Sequence, residues 1–297
     1  MSRLLRQVIF LLLLAAYPGL YGQLIPEEIK KIGGKYLAVA PTQLALSPTG
    51  DKIVISDRFA NKIYVIDYRG EFLWAVGENV KLERPRAVAF VSDNEIIFTV
   101  ENSSLIFKAS ENDPQSLDTI ADLVTLLKRK SVIKQIIGNS NGDFLMLDEK
   151  EGAILFVSAD WKSARTIVGN GQGKGKVWAP SQAALDFSGK IMVADLKNFP
   201  FQAFTPEGKF LFYGGWDKPG MDKGWEASAI AVDRQEQIIV ADKSNAQLRV
   251  FDQSGREVKT VELGYAPVNI TAITATVDGR LYLIDEFRGF LTVAWEN

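Results

Sequence analysis

Between Ser228 and Leu263 apolar residues alternate with small or polar ones in four short runs, AIAV, QIIVAD, QLRVFD and REVKTVEL. The segments DRQE, KSN and QSG between them are rich in turn-forming residues. A period of two marks each run as a strand with one apolar face, and the short connections predict an antiparallel meander. Such a sheet cannot bury both faces by itself, so the unit requires copies of itself to stack on.

The copies are visible. Second-strand endings recur as VISD at Asp57, FTVE at Glu101, LMLD at Asp148, MVAD at Asp195, IVAD at Asp242 and YLID at Asp285. The spacings are 44, 47, 47, 47 and 43 residues. Four strands per period in the forties predicts an all-β chain, a β-propeller of six four-stranded antiparallel blades. Turn segments such as PTGD at 48–51, SNGD at 140–143, FSGK at 187–190 and VDGR at 277–280 precede the second strand. In the last unit only two residues follow GFLTVAW at 289–295, so a fourth strand is missing there. IKKIGG at 29–34 matches fourth-strand endings elsewhere, such as FLWAVG at 72–77, and is expected to close the last blade and remove two exposed edges. The second unit is the least regular. Its segment TLLKRKS at 125–131 reads as a fourth strand in preference to a short helix, because the period holds through it.

The first 22 residues stand apart. Arg3 and Arg6 precede the apolar run Val8 to Ala16, and Pro18, Gly19 and Gly22 follow. This is the layout of a secretory signal peptide, and the run is about half of the roughly 20 residues that span a bilayer. The expected division is therefore a signal peptide at 1–22 and a propeller at 23–297, secreted or periplasmic, with no stable membrane insertion after cleavage. Losing Arg3 and Arg6 leaves 32 basic against 36 acidic residues, which argues against nucleic acid as a partner. There is no cysteine, hence neither a disulfide framework nor a lipid-bearing cysteine.

PSQAALDFSGKIMVADLKN, IIVADKSNAQLRVFDQSG and SDRFANKIYVIDYRG resemble the NHL-repeat family of propellers, whose repeat sets a Pro before the inner strand, a V-x-D second strand, an Asn a few residues on, and a third strand ending in F-D before a Gly turn. The resemblance covers about Ile29 to Trp295. It implies a fold more than a function, since the family includes amidating lyases, bacterial sensor domains and RNA- or protein-binding modules. Those lyases depend on a histidine-ligated metal, and this chain has no histidine at all. Ser-His-Asp and Cys-His catalysis and zinc sites built on imidazole or thiolate are excluded with it. No cofactor is expected, although calcium held by oxygen ligands stays open.

In propellers of the family it resembles, the turns after the second strand share a face with the blade-to-blade loops. On that rim the repeated acids read first as hairpin-holding acceptors of backbone N–H groups. Their less regular neighbours Arg58, Lys150, Lys197, Lys243 and Arg288 are candidates for partner contact. The loops add Trp178, Trp216, Met221 and Trp225, expected to form an aromatic anchor on the same face. GNGQGKGK at 169–176 lacks the Lys-Ser/Thr ending of a phosphate loop and matches a blade linker. Gln43, Arg86 and Gln182, at inner-strand starts, are expected to face the axial channel. The leading reading is a non-enzymatic exported module that binds a protein, peptide or glycan through its loop-bearing face. The alternative is a calcium-type hydrolase or lactonase resembling gluconolactonase-like propellers, which requires carboxylate and amide oxygens converging on one ion.

Overall fold

The structure is a computed structural model that describes residues 27–28, 40–215, 224–263, 269–276, 278–287 and 289–294. It is an all-β propeller whose blades are four-stranded antiparallel sheets. One sheet runs Pro41–Leu46, Lys52–Asp57, Lys62–Asp67 and Phe72–Val76. The next runs Pro85–Ser92, Glu95–Val100, Leu105–Ser110 and Asp113–Asp122. It is followed by Ile133–Gly138, Phe144–Asp148, Ala153–Val157 and Ala164–Val168. Further along come Pro180–Leu185, Ile191–Asp195, Phe201–Phe204 and Phe210–Gly214, then Ala227–Val232, Ile238–Asp242, Gln247–Phe251 and Glu257–Glu262. The sheet formed by Ile270–Ala275, Arg280–Asp285 and Gly289–Ala294 takes its fourth strand from Glu27–Glu28.

That N-terminal pairing is antiparallel, Glu27 opposite Thr292 and Glu28 opposite Leu291. The described closing strand thus lies just before the IKKIGG segment expected to supply it, and 29–34 falls outside the described residues. The seam is also packed. Leu44, Ile53 and Ile55 of the first sheet share a core with Ala272, Tyr282 and Ile284 of the closing one. Tyr282 donates its phenolic hydrogen to the Tyr68 carbonyl at 2.7 Å, across that seam. Elsewhere each interface repeats this arrangement, as where Met192 and Phe201 of one sheet meet Ile238, Val240 and Phe251 of the next. A strand in such a stack is buried on both sides, and the second strands 144–148, 191–195 and 238–242 are buried at every position.

The irregular second unit corrects one expectation. Its fourth strand is Asp113–Asp122, and α1, Leu123–Leu127, is a single helical turn where TLLKRKS was expected to be extended. The cause is local capping. The Asp122 carboxylate accepts from the Val124 N–H at 3.0 Å and from the Thr125 hydroxyl at 2.9 Å, and Lys128 ends the turn in the left-handed region at φ 58°. These local hydrogen bonds outweigh the weak strand preference of a segment holding three leucines.

Candidate functional site

Five repeated aspartates define which end of the ring carries the loops. Asp195 is buried and accepts from Trp178 N at 2.7 Å and Ala179 N at 3.1 Å, both in the incoming linker. It also accepts from Lys197 N at 2.8 Å and Asn198 N at 2.9 Å, both in its own turn. Asp57 does the same with Ala40, Phe59 and Ala60, and Asp285 with Asn269 and Phe287. Asp148 takes Val132 N and Arg129, and Asp242 takes Ser244, Asn245 and Arg249. Each carboxylate therefore ties a second-strand end to its turn, and in most sheets to the preceding linker. Second-strand turns and blade-to-blade linkers share one face, and the acids are spent holding it together. Glu101 is the exception. At that ring position it pairs instead with Arg58 and with Arg84 at 2.9 Å, and those guanidinium groups hold its carboxyl below the ordinary range, Arg84's hydrogen bond first.

Buried glutamines near this face link the inner strands of different sheets. In the first, third and fourth sheets a bulge after the opening residue of the inner strand brings Gln43, Gln135 and Gln182 to the equivalent register. Gln182 donates to the Ile273 carbonyl at 2.9 Å and accepts from Ile230 N and Ile273 N at 3.1 Å each, so one side chain links its sheet to two others. Gln135 exchanges paired hydrogen bonds with the Ala183 backbone, 3.0 and 2.8 Å. Gln43 is buried, and its Oε1 has no hydrogen-bond partner among the described residues. Gln135 was not singled out from sequence, although VIKQII aligned on PTQLAL and PSQAAL carries the signal. Beyond the glutamines the channel opens toward the opposite end as a cavity of about 510 Å³ with Leu46, Ala89, Ile136, Leu185 and Val232 among its lining and Phe187 at its rim.

The residue inside each bulge varies in chemistry around the ring. It is Thr42, Ser181, Ser228 and Thr271 in four sheets but Arg86 and Lys134 in the two adjacent ones. Arg86 pairs with Glu149 at 2.6 Å. Burial pushes the Lys134 ammonium below its ordinary range; Glu149 opposes that shift and the Arg86 charge reinforces it.

The expected aromatic anchor separates into two parts. Trp178 is 41% exposed, and the Lys197 ammonium sits 5.7 Å from its ring centroid, within cation–π range, so these two residues do come together. Trp225 is 6% exposed and is a packing residue, which corrects its expected role on the surface. It stacks on Phe251 with centroids 6.3 Å apart, lies under the Arg249 guanidinium at 4.8 Å, and donates to the Gly215 carbonyl at 3.3 Å. Gly215, at φ +80°, makes room for it, since a Cβ there would lie 2.5 Å from the indole. Lys243 is exposed on the loop face, whereas Arg58 is engaged with Glu101. Trp216, Met221 and Arg288 lie outside the described residues. The GNGQGKGK linker is held by amides: Asn198 donates to the carbonyls of Gly173 and Lys176, and Gln202 accepts from Gly175 N at 2.9 Å. Its glycine N–H groups at 173 and 175 are thus occupied by the protein itself.

Solved propellers share this fold. The virginiamycin B lyase of Staphylococcus aureus superposes with a TM-score of 0.63 at 17% identity, over 90% of this chain and 83% of that one. The calcium-binding protein regucalcin of Agrobacterium tumefaciens gives 0.64 at 11% identity over 93% and 96%. The Cps50 (Swd1) β-propeller domain of Myceliophteria thermophila gives 0.61 at 11% over 86% and 84%. At these identities the likeness is one of fold. No protein-family model and no curated protein sequence matches the chain.

Proposed function

We propose that this protein is an exported, non-enzymatic propeller of six NHL-type blades that binds a protein, peptide or glycan through its loop-bearing face. The observation that carries the reading is the pairing of half-exposed Trp178 with Lys197 on that face, anchored from beneath by buried Asp195. An exposed indole with a cation over it is the kind of rigid amphipathic surface on which binding energy concentrates. The blade count is supported by the recurring second-strand acids from Asp57 to Asp285, and export by the basic, apolar and small-residue succession before Gln23.

A calcium-assisted hydrolase or lactonase is the second reading, favoured by the presence of a lyase and a calcium-binding protein among the similar structures. The donor set weighs against it. The rim carboxylates are committed to backbone N–H groups and arginines, the Gln182 and Gln135 oxygens to strand amides, and no cluster of three acidic residues suited to a cation occurs among the described residues.

The test uses the chain purified from the envelope fraction of its native host. Its N-terminus should read from near Gln23. The variant Trp178→Ala with Lys197→Ala should bind a co-purifying partner at least 10-fold more weakly at unchanged Tm, equivalent to about 1.4 kcal/mol or more. Wild-type affinity in that variant, or an N-terminus at Met1, contradicts the corresponding half of the proposal.

A further inference from the structure

Between the second and third sheets the loop-bearing face holds a cleft of about 380 Å³ lined by Arg86, Lys130, Lys150, Asn102, Ser103 and Ser131 together with apolar strand ends. That volume suits a small ligand. Among the described residues no aspartate or glutamate lines it, in a chain that carries 36 acidic against 34 basic residues. Lys130 and Lys150 are exposed and have no ion-pair partner among the described residues. Ser131 already accepts from Arg129 at 2.9 Å, so its hydroxyl hydrogen is left to donate.

A second observation points the same way. Four of the inner-strand bulge positions are hydroxyl residues, and the two that are cationic, Arg86 and Lys134, belong to the two sheets that flank this cleft. The irregular stretch that departs from the other blades, α1 followed by Lys128–Lys130, delivers Lys130 to the same place. Positive charge is thus gathered at one sector by three separate segments of the chain.

The geometry points to a binding site for a tetrahedral oxyanion, a phosphate or sulfate ester carried by a small ligand. The donors decide between anions. Arg86, the only guanidinium among the described residues that line the cleft, is drawn to Glu149, and the other polar groups are compact ammonium charges, hydroxyls and the Asn102 amide arriving from different segments. Such a set suits three diverging oxygens better than a planar carboxylate, which favours a free guanidinium fork. This site stands independently of whether Trp178 and Lys197 touch a partner.

Isothermal titration at low salt tests it with glucose 6-phosphate, glucose 6-sulfate, inorganic phosphate and glucose, against wild type, Lys150→Gln, Lys130→Gln/Lys150→Gln and, at an exposed lysine of the opposite face, Lys209→Gln. At least one ester should bind wild type with a Kd of about 1 mM or tighter, and glucose should not. The double variant should lose at least 10-fold with its Tm unchanged, the single Lys150→Gln should lose part of that, and Lys209→Gln should match wild type. Preference for one ester names the oxyanion, and equal binding of inorganic phosphate marks the anion itself as the ligand. Absence of heat with every anion, equal affinity in the double variant, or equal binding of glucose overturns the proposal.

Discussion

Replacing Asp195 with alanine is expected to destabilise the fold by about 4 kcal/mol. The carboxylate is buried and accepts from the backbone N–H groups of Trp178, Ala179, Lys197 and Asn198. Each buried donor left without an acceptor costs about 1–3 kcal/mol, and the sum is reduced because the turn can open to water. Glu101→Ala is the matched control. It sits at the same ring position, but its side chain holds two partly exposed arginines and no described backbone N–H, so its Tm should move far less. Denaturant unfolding of the two variants checks this, and equal losses contradict the assignment of the aspartates to the scaffold. Asp195→Ala should also disorder the Trp178–Lys197 pair, because both residues are positioned by that one carboxylate.

Trp225→Ala should cost about 3–5 kcal/mol, the range for deleting a large buried aromatic. The indole fills the space between Phe251 and the 201–204 strand region and is roofed by Arg249, which is itself held by Asp242 at 2.9 Å. Trp178→Ala at 41% exposure should leave stability nearly unchanged. A thermal scan of both variants separates the two tryptophans. If Trp225→Ala melts with wild type, the ring is not part of the blade interface. If Trp178→Ala melts far below it, that residue is packing and not binding surface.

The scaffold was legible because it repeats. Period-two alternation, turn residues and the acid at each second-strand end all recur, and the five aspartates among those acids proved to be N–H acceptors, as their position in a turn implies. Legibility failed wherever a residue's role depends on which neighbouring sheet it meets. Trp225 and Trp178 both sit in polar linkers just before an inner strand, yet only Trp225 finds a glycine, Gly215, opposite its ring, and that pairing spans two units. Gln182 reads as a channel residue from its place in the strand, but its acceptors and donors lie 48 and 91 residues away. The α1 turn was misread because Asp122 lies at the end of one run and caps the next, a local contest between cap and strand that alternation does not register. Arg86, Lys130 and Lys150 each read as loop-face residues, but their meeting in one cleft was not legible, because they come from three segments and no single motif contains them.

Lysine acetylation footprinting of the protein with a co-purifying partner bound tests the central proposal, that the loop-bearing face is the binding surface, most directly. Lys197 and Lys243 lie in turns after the second strand, while exposed Lys162 and Lys209 lie in turns between third and fourth strands at the opposite end. The account predicts protection of Lys197, extending to Lys243, with Lys162 and Lys209 modified as in the free protein. Protection confined to Lys162 and Lys209 would place the partner over the open end of the channel and contradict it.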